Sequence, residues 1–306
     1  MKVLTVATRG GKLAIAQTKI VCSLLKEIYP DLRLEIKQIS TAGDRDRRIT
    51  LWSLKDTGFF TSTVEDALLQ GQADFAVHSF KDLPTRQRDG LTIAAVCDRR
   101  FAQDCLIADS SITSIEQLPH AAGIGTSSLR RAAQLKHLRP DLVPTAVRGN
   151  VLTRIRKLKE GKFDAVILAR AGIERLGLAD KISFSFDPTQ FIPAPAQGAL
   201  AVQTRTDDSR TNSLIASIDD EKARTATFAE RKILTVMQCG CHAPVGAFAK
   251  ITGNNIEITA FICDLQGENF IKRRITGPSE EAQNLAEKLA NNLLTSGGKK
   301  ILASFE

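Results

Sequence analysis

Cys239-Gly240-Cys241-His242 sets two thiols and an imidazole within four residues. Three chemistries fit that cluster. Zinc sites normally take a second ligand pair at suitable spacing, and none is evident. A redox pair with one intervening residue is the second option. A single nucleophilic thiol in a glycine-containing loop is the third, with the thiolate as the attacking form. A second reactive stretch is His78-Ser79-Phe80-Lys81-Asp82-Leu83-Pro84, where a carboxylate stands beside a cation just past an apolar run. In a basic, partly dry cleft such a carboxylate stabilises a developing cation or shuttles protons. The plainer alternative is a turn aspartate before proline, and this segment alone favours it. His78 is expected to pack under the turn or bond to backbone, with no chemical task.

The third stretch, Gly125-Thr126-Ser127-Ser128-Leu129-Arg130-Arg131, is a glycine and hydroxyl turn running into a helix. Free N–H groups and the positive end of the helix dipole favour an anion there. Arginine adds paired planar donors that match carboxylate or phosphate. Ser127 acting only as a helix cap is the plainer reading. With Arg148 and Arg154 nearby in sequence, the set points to a ligand bearing several acidic groups. Charge agrees: residues 121–157 hold eight Lys or Arg against Asp141 alone, nearly the whole net +8 of the chain. Such concentration suggests an anion site. For Lys136, Arg139 and Lys157 a solvated helix face is the expectation.

These groups need elements to hold them. Residues 2–7 read as a strand, followed by a helix with Leu13, Ile20, Leu24 and Ile28 at helical spacing until Pro30. Leu32, Leu34 and Ile36 alternate as a strand. Residues 41–60 read as a long loop, and Ser62-Thr63-Val64-Glu65 has capping-box spacing. Strands are expected at 73–77, 91–96, 122–125, 143–147 and 163–168, with helices from Ser127 to Leu138 and from about Asn150. The Pro-rich stretch 187–198 looks like a linker, and GALAVQ after it like a strand crossing back to the first domain. From about residue 218 come a helix, alternating strands at 245–250, 256–262 and 269–276, and a last helix near 280–295. The expected class is α/β, with two α/β domains of largely parallel sheets and a small C-terminal α+β domain. Thr8 and Arg9, His78 to Asp82, Thr126 to Ser128, and Arg148 with Asn150 each follow an expected strand. Open α/β sheets bind ligands at the carboxyl ends of their strands, so these loops would form a cleft between two domains.

Composition sets bounds. The 306 residues suffice for two or three domains, and 43% hydrophobic with 25% charged residues is ordinary for a soluble protein. No stretch reads as a signal peptide or a membrane span. Cysteines at 22, 97, 105, 239, 241 and 263 are too sparse for a disulfide scaffold, so a reducing cytoplasm is expected.

ATRGGKLAIAQT, ADFAVHSFKDLP, GTSSLRRAAQL, VRGNVLTRIRKL, DAVILARAGIERLGL, PAQGALAVQ and CGCHAPVG, in that order, resemble the successive signatures of porphobilinogen deaminases. The resemblance covers essentially the whole chain. It implies three domains, the first two like a periplasmic binding protein: 1–97 with about 197–217, 98–190, and 218–306. It also implies a dipyrromethane cofactor in thioether linkage to Cys241. The implied reaction joins four porphobilinogen units, releasing ammonia, into linear hydroxymethylbilane on that primer, which is hydroxymethylbilane synthase activity. Asp82 would bind pyrrole N–H groups, stabilise the cation left by ammonia loss and assist proton transfer. Arg9, Arg130, Arg131, Arg148, Arg154 and Arg175 match positions that grip acetate and propionate groups. Ser79, Lys81, Thr126, Ser127, Ser128 and Gln197 would line the cofactor and substrate sites. A monomer acting on a small molecule is expected, with no metal, nucleic acid or membrane partner.

The chain departs from the family pattern at Gly11, where serine is common, and at Lys55-Asp56-Thr57-Gly58-Phe59-Phe60. Cys239 replaces a glycine, and Pro195-Ala196 alters the segment before Gln197. A non-catalytic polycarboxylate binder using the same cleft is the competing reading, but it leaves Cys241 and Asp82 without a task. A nucleic-acid binder ranks third, since the basic stretch lacks interleaved aromatics.

Overall fold

The computed structural model describes residues 3–40, 61–239 and 243–305. The expected loop at 41–60, with the departures at 55–60, lies outside the described residues, and so do Cys241 and His242. The chain divides into two compact units. One comprises Met1–Arg100 with Gly198–Thr225, the other Phe101–Gln197 with Ala226–Glu306.

The first unit is built on β1 (Leu4–Arg9), β2 (Leu34–Ile39), β3 (Phe75–Ser79), β4 (Leu91–Cys97) and β10 (Leu200–Arg205), ordered β2-β1-β3-β10-β4. β1 runs parallel to β2 and β3, whereas β10 runs antiparallel to β3 and β4. Helices α1 (Lys12–Ile28) and α6 (Ser209–Ala216) bury Val21, Leu25 and Ile215 against Phe75, Val77, Leu200 and Val202. Helix α2 (Ser62–Leu69) packs Val64 and Leu68 against Ala7 and Ala76 of the other face. With both faces covered, the inner strands read as near-continuous apolar runs. The edge strand β2 alternates poorly and is largely exposed.

In the second unit, β5 (Asp104–Ile107), β6 (Gly123–Gly125), β7 (Val143–Thr145), β8 (Ala165–Ala169) and β9 (Phe184–Ser185) form the order β7-β6-β8-β5-β9. Here β6 is parallel to β7 and β8, and β5 is antiparallel to β8 and β9. Both sheets therefore continue three parallel strands with an antiparallel one, as expected for two α/β domains of largely parallel sheets. Helices α3 (Leu129–Leu138), α4 (Val151–Lys159) and α5 (Arg170–Glu174) connect the strands. Helix α7 (Glu221–Val236) leads to an antiparallel meander of β11 (Val245–Thr252), β12 (Asn255–Ile262) and β13 (Ile271–Pro278). Leu285, Leu289 and Leu293 form one face of α8 (Ala282–Leu293) and bury against Ile256, Ile258 and Ile262. Each such side chain contributes about 1.5–3 kcal/mol on full burial. The outer strand β13 carries Lys272, Arg273 and Arg274, charges that guard an open edge against pairing.

Several sequence expectations are corrected. Thr8, Arg9, His78 and Ser79 end their strands rather than follow them. The capping box does not form: Thr61 takes the cap position, and the Glu65 carboxylate instead accepts from Gln203 at 3.0 Å. The stretch 187–198, read as a linker, ends where the second unit gives way to the first, and it is packed rather than loose: Phe191, Ile192, Ala196 and Gln197 are buried. Gln134 holds Ile192 by both its backbone groups, accepting from its N–H at 2.7 Å and donating to its carbonyl at 3.0 Å. Strand β5 was not foreseen at all. Among the described residues, no helix is long and apolar enough to cross a membrane.

Candidate functional site

In the first unit, β1 and β3 are parallel, so Arg9 and Ser79 end at one edge of the sheet. There the chain turns through a single 3-10 turn, Phe80–Asp82. Phe80 is fully buried and Leu83 nearly so, and Leu83 N–H closes the turn on the Phe80 carbonyl at 3.3 Å. Two apolar anchors thus clamp the turn and leave Lys81 half-buried and Asp82 exposed. Ser79 Oγ accepts from Gln17 Nε2 at 2.8 Å, which ties the strand end to α1. Gly11 precedes α1 with φ +119°, a conformation that side-chain-bearing residues rarely adopt. The departure from serine at this position therefore changes backbone freedom as well as a side chain.

His78 lies beneath that edge and is buried. It shares the α2-facing side of the sheet with Ala76 and Gln203. Burial pushes its imidazole down from 6.5 to about 4, with the Gln203 side chain opposing the shift and the Arg9 cation adding to it. It is a neutral packing group at physiological pH.

The second unit gathers the arginines. Parallel β6 and β7 end at one sheet edge, and the Thr126 N–H donates to the Thr145 carbonyl at 2.8 Å. The cap of α3 is Ser128, not Ser127: its Oγ accepts from Arg131 N–H. Ser127 instead bonds the Val147 backbone through both N–H and carbonyl, coupling the α3 turn to the loop that holds Arg148. In that loop Gly149 has φ +111°, and a Cβ there would sit 2.5 Å from Thr153 Cγ2. Glycine lets the chain turn so that Asn150 caps α4, accepting from Thr153 N–H at 2.9 Å.

Arg130 and Arg131 are both buried, and their common partner is Asp104, which is fully buried at the start of β5. Asp104 Oδ2 accepts from Arg130 Nη2 at 2.7 Å. Asp104 Oδ1 accepts from Arg131 Nε and Nη2 at 3.1 and 2.7 Å, and from Gln197 Nε2 at 2.9 Å. Arg130 also donates to the Ile192 carbonyl and Arg131 to the Ile167 carbonyl. Burial alone would raise the Asp104 pKa, but the two guanidiniums and Gln197 hold it well below the usual carboxylate range. Arg154 donates to the Gly149 carbonyl at 2.9 Å. Desolvation, then the like charge of Arg131, lowers its pKa to about 10. Among the described residues no carboxylate pairs with it. Arg175 caps the far end of α5, the short helix that continues from β8.

The candidate residues thus gather at two sheet edges. Arg9, Ser79, Lys81 and Asp82 lie at one; Thr126, Ser127, Ser128, Arg130, Arg131, Arg148 and Arg154 lie at the other, joined by Gln197 through Asp104, while Arg175 stands at the far end of α5. Arg139 folds onto Asp141 at 2.7 Å and Lys136 onto the Pro140 carbonyl, as groups outside the set. Asp104 escaped sequence reasoning, although a charged residue opening the apolar run Asp104-Cys105-Leu106-Ile107 was a usable signal. Cys239 is not in a disulfide.

Residues 4–213 match the family described as "Porphobilinogen deaminase, dipyromethane cofactor binding domain", and residues 224–295 its C-terminal domain. The porphobilinogen deaminase of Syntrophomonas wolfei is 43% identical over 306 residues, covering 99% of this chain and 98% of that one. The one from Maridesulfovibrio salexigens is 38% identical over 302 residues, covering 99% and 98%. Among solved structures, the methionine binding protein MetQ aligns over 74% of this chain and 94% of its own at 15% identity and TM-score 0.44. The full-length matches, with the motifs in order along both units, place this chain in the porphobilinogen deaminase family.

Proposed function

We propose that the chain is a hydroxymethylbilane synthase, joining four porphobilinogen units with release of ammonia on a dipyrromethane primer held by Cys241. The observation that carries this reading is the full-length match to porphobilinogen deaminases, with the dipyrromethane cofactor binding domain over residues 4–213; Arg154 agrees with it, a half-buried cation that no carboxylate pairs with among the described residues. A cation in that state favours an anionic ligand. The donor set fits a group bearing acetates and propionates: several guanidiniums, the hydroxyls of Thr126 to Ser128, and a capped helix N-terminus.

On this reading the chain has three domains, 1–97 with about 197–217, 98–190, and 218–306. Arg9, Arg148, Arg154 and Arg175 hold substrate carboxylates, with Gln197 at the same site. Arg130, Arg131, Arg148, Ser79, Lys81 and Thr126 to Ser128 hold the primer, so Arg148 serves both groups. The dipyrromethane, when bound, supplies the nucleophilic pyrrole carbon on which the chain grows. The exposed Asp82 carboxylate accepts pyrrole N–H groups, offsets the positive charge that follows loss of ammonia, and takes up the proton released on coupling. The enzyme acts as a cytoplasmic monomer, without nucleic acid or membrane.

Denaturing intact mass tests the reading. The wild-type chain should exceed its polypeptide mass by one dipyrromethane; Cys241→Ser should show bare polypeptide, and Cys239→Gly should remain loaded. An unmodified wild type, or an adduct mapped to Cys239 by tandem mass spectrometry, overturns it.

A further inference from the structure

The reaction as read above leaves Asp104 without a part. Yet it is fully buried, and its two oxygens accept four hydrogen bonds from three candidate site residues, Arg130, Arg131 and Gln197. We propose that Asp104 is a positioning residue that fixes Arg130, Arg131 and Gln197 in the orientation that receives the primer and growing chain. This rests on the function proposed above.

A buried ion cluster is a weak source of stability, because desolvation offsets the attraction. What it supplies is geometry. The Arg131 Nε–Nη2 side meets a carboxylate oxygen in a forked contact, which fixes the guanidinium plane as well as its place. The carboxylate itself cannot drift, since Asp104 lies in register with Ala169 on β8, between β8 and β9. One carboxylate accepts from both guanidiniums, which ties the two arginines to each other as well as to β5. Gln197 joins the same oxygen at the end of the buried 187–198 segment, where Ala196 N–H is in turn held by Glu230 Oε2 at 2.7 Å. A single carboxylate sets the α3 arginines and the Gln197 segment together.

Asp104→Asn keeps the shape and removes the charge partner; Asp104→Glu keeps the charge but displaces it by one methylene. Each is purified as folded protein below its melting temperature, weighed intact for the dipyrromethane adduct, and assayed for kcat and KM with porphobilinogen. A misplacement of about 1 Å costs on the order of a hundredfold in rate, so kcat/KM should fall by that order in the folded fraction of Asp104→Asn. The adduct-bearing fraction should fall with it, and Asp104→Glu should recover part of both. Folded variants that are fully loaded with wild-type KM, only less stable, would overturn the proposal. Failure of both variants to fold would also overturn it, making Asp104 a determinant of the fold alone. A wild type lacking both adduct and turnover would sink the underlying functional reading instead.

Discussion

His78 offers a sharp test of how burial governs the sheet beneath Asp82. Its imidazole, buried between β3, the Gln203 side chain and the Arg9 cation, is held neutral down to about pH 4, against an ordinary value of 6.5. In the unfolded chain the ring takes up a proton near pH 6.5. Between that pH and about 4 the unfolded state therefore binds more protons than the folded one, and stability falls as pH falls. Each pH unit in that window costs about 1.4 kcal/mol. From pH 7 to pH 5 the loss assignable to this one ring is roughly 2 kcal/mol, and it saturates below about pH 4. His78→Gln removes the proton site while keeping a polar side chain of similar reach. Urea unfolding at pH 7 and pH 5 should show the wild type losing about 2 kcal/mol more than the variant. Proton NMR of the four histidines supplies a direct check: the resonance missing from the variant should not titrate between pH 7 and 5 in the wild type. Equal losses in both proteins, or a His78 resonance that titrates near 6.5, would refute the reasoning.

Two further outcomes are expected. Asp82→Asn should lower turnover by about a hundredfold or more, because it removes a positioned charge opposite a developing cation. Intact mass should show the primer retained and circular dichroism the fold unchanged, whereas activity within a fewfold of wild type would return Asp82 to the role of a turn residue. Ala196 has φ +62°, a left-handed conformation that costs a side-chain-bearing residue about 1–2 kcal/mol, against a glycine entropy cost of roughly 0.5–1. Ala196→Gly should therefore raise stability slightly, by about 0.5–1 kcal/mol in urea unfolding, and a clear loss would show that the methyl packs productively.

Local information carried much of this molecule. The helical spacing of Leu13 to Ile28, the apolar runs of β3, β4 and β8, and the late meander were legible because a buried face imposes its period on the chain. The arginine-rich turn was legible because hydroxyls and cations at a helix start have few other uses together. The motifs that resemble porphobilinogen deaminases stood in order along the sequence, and they carried the family assignment. Tertiary contacts decided the rest. The Ser62 to Glu65 spacing suggested a capping box, but a buried glutamine across the sheet offered Glu65 a better partner than the helix end. Proline at 187–198 suggested a linker, but nothing local said that it would be buried; Gln134 and Glu230 supply bonds to its backbone and allow that burial. Arg130 and Arg131 looked like two independent grips for a ligand. Asp104, 26 residues before Arg130, joins them into one rigid cluster, because a charge can be buried only where distant residues converge to pair with it.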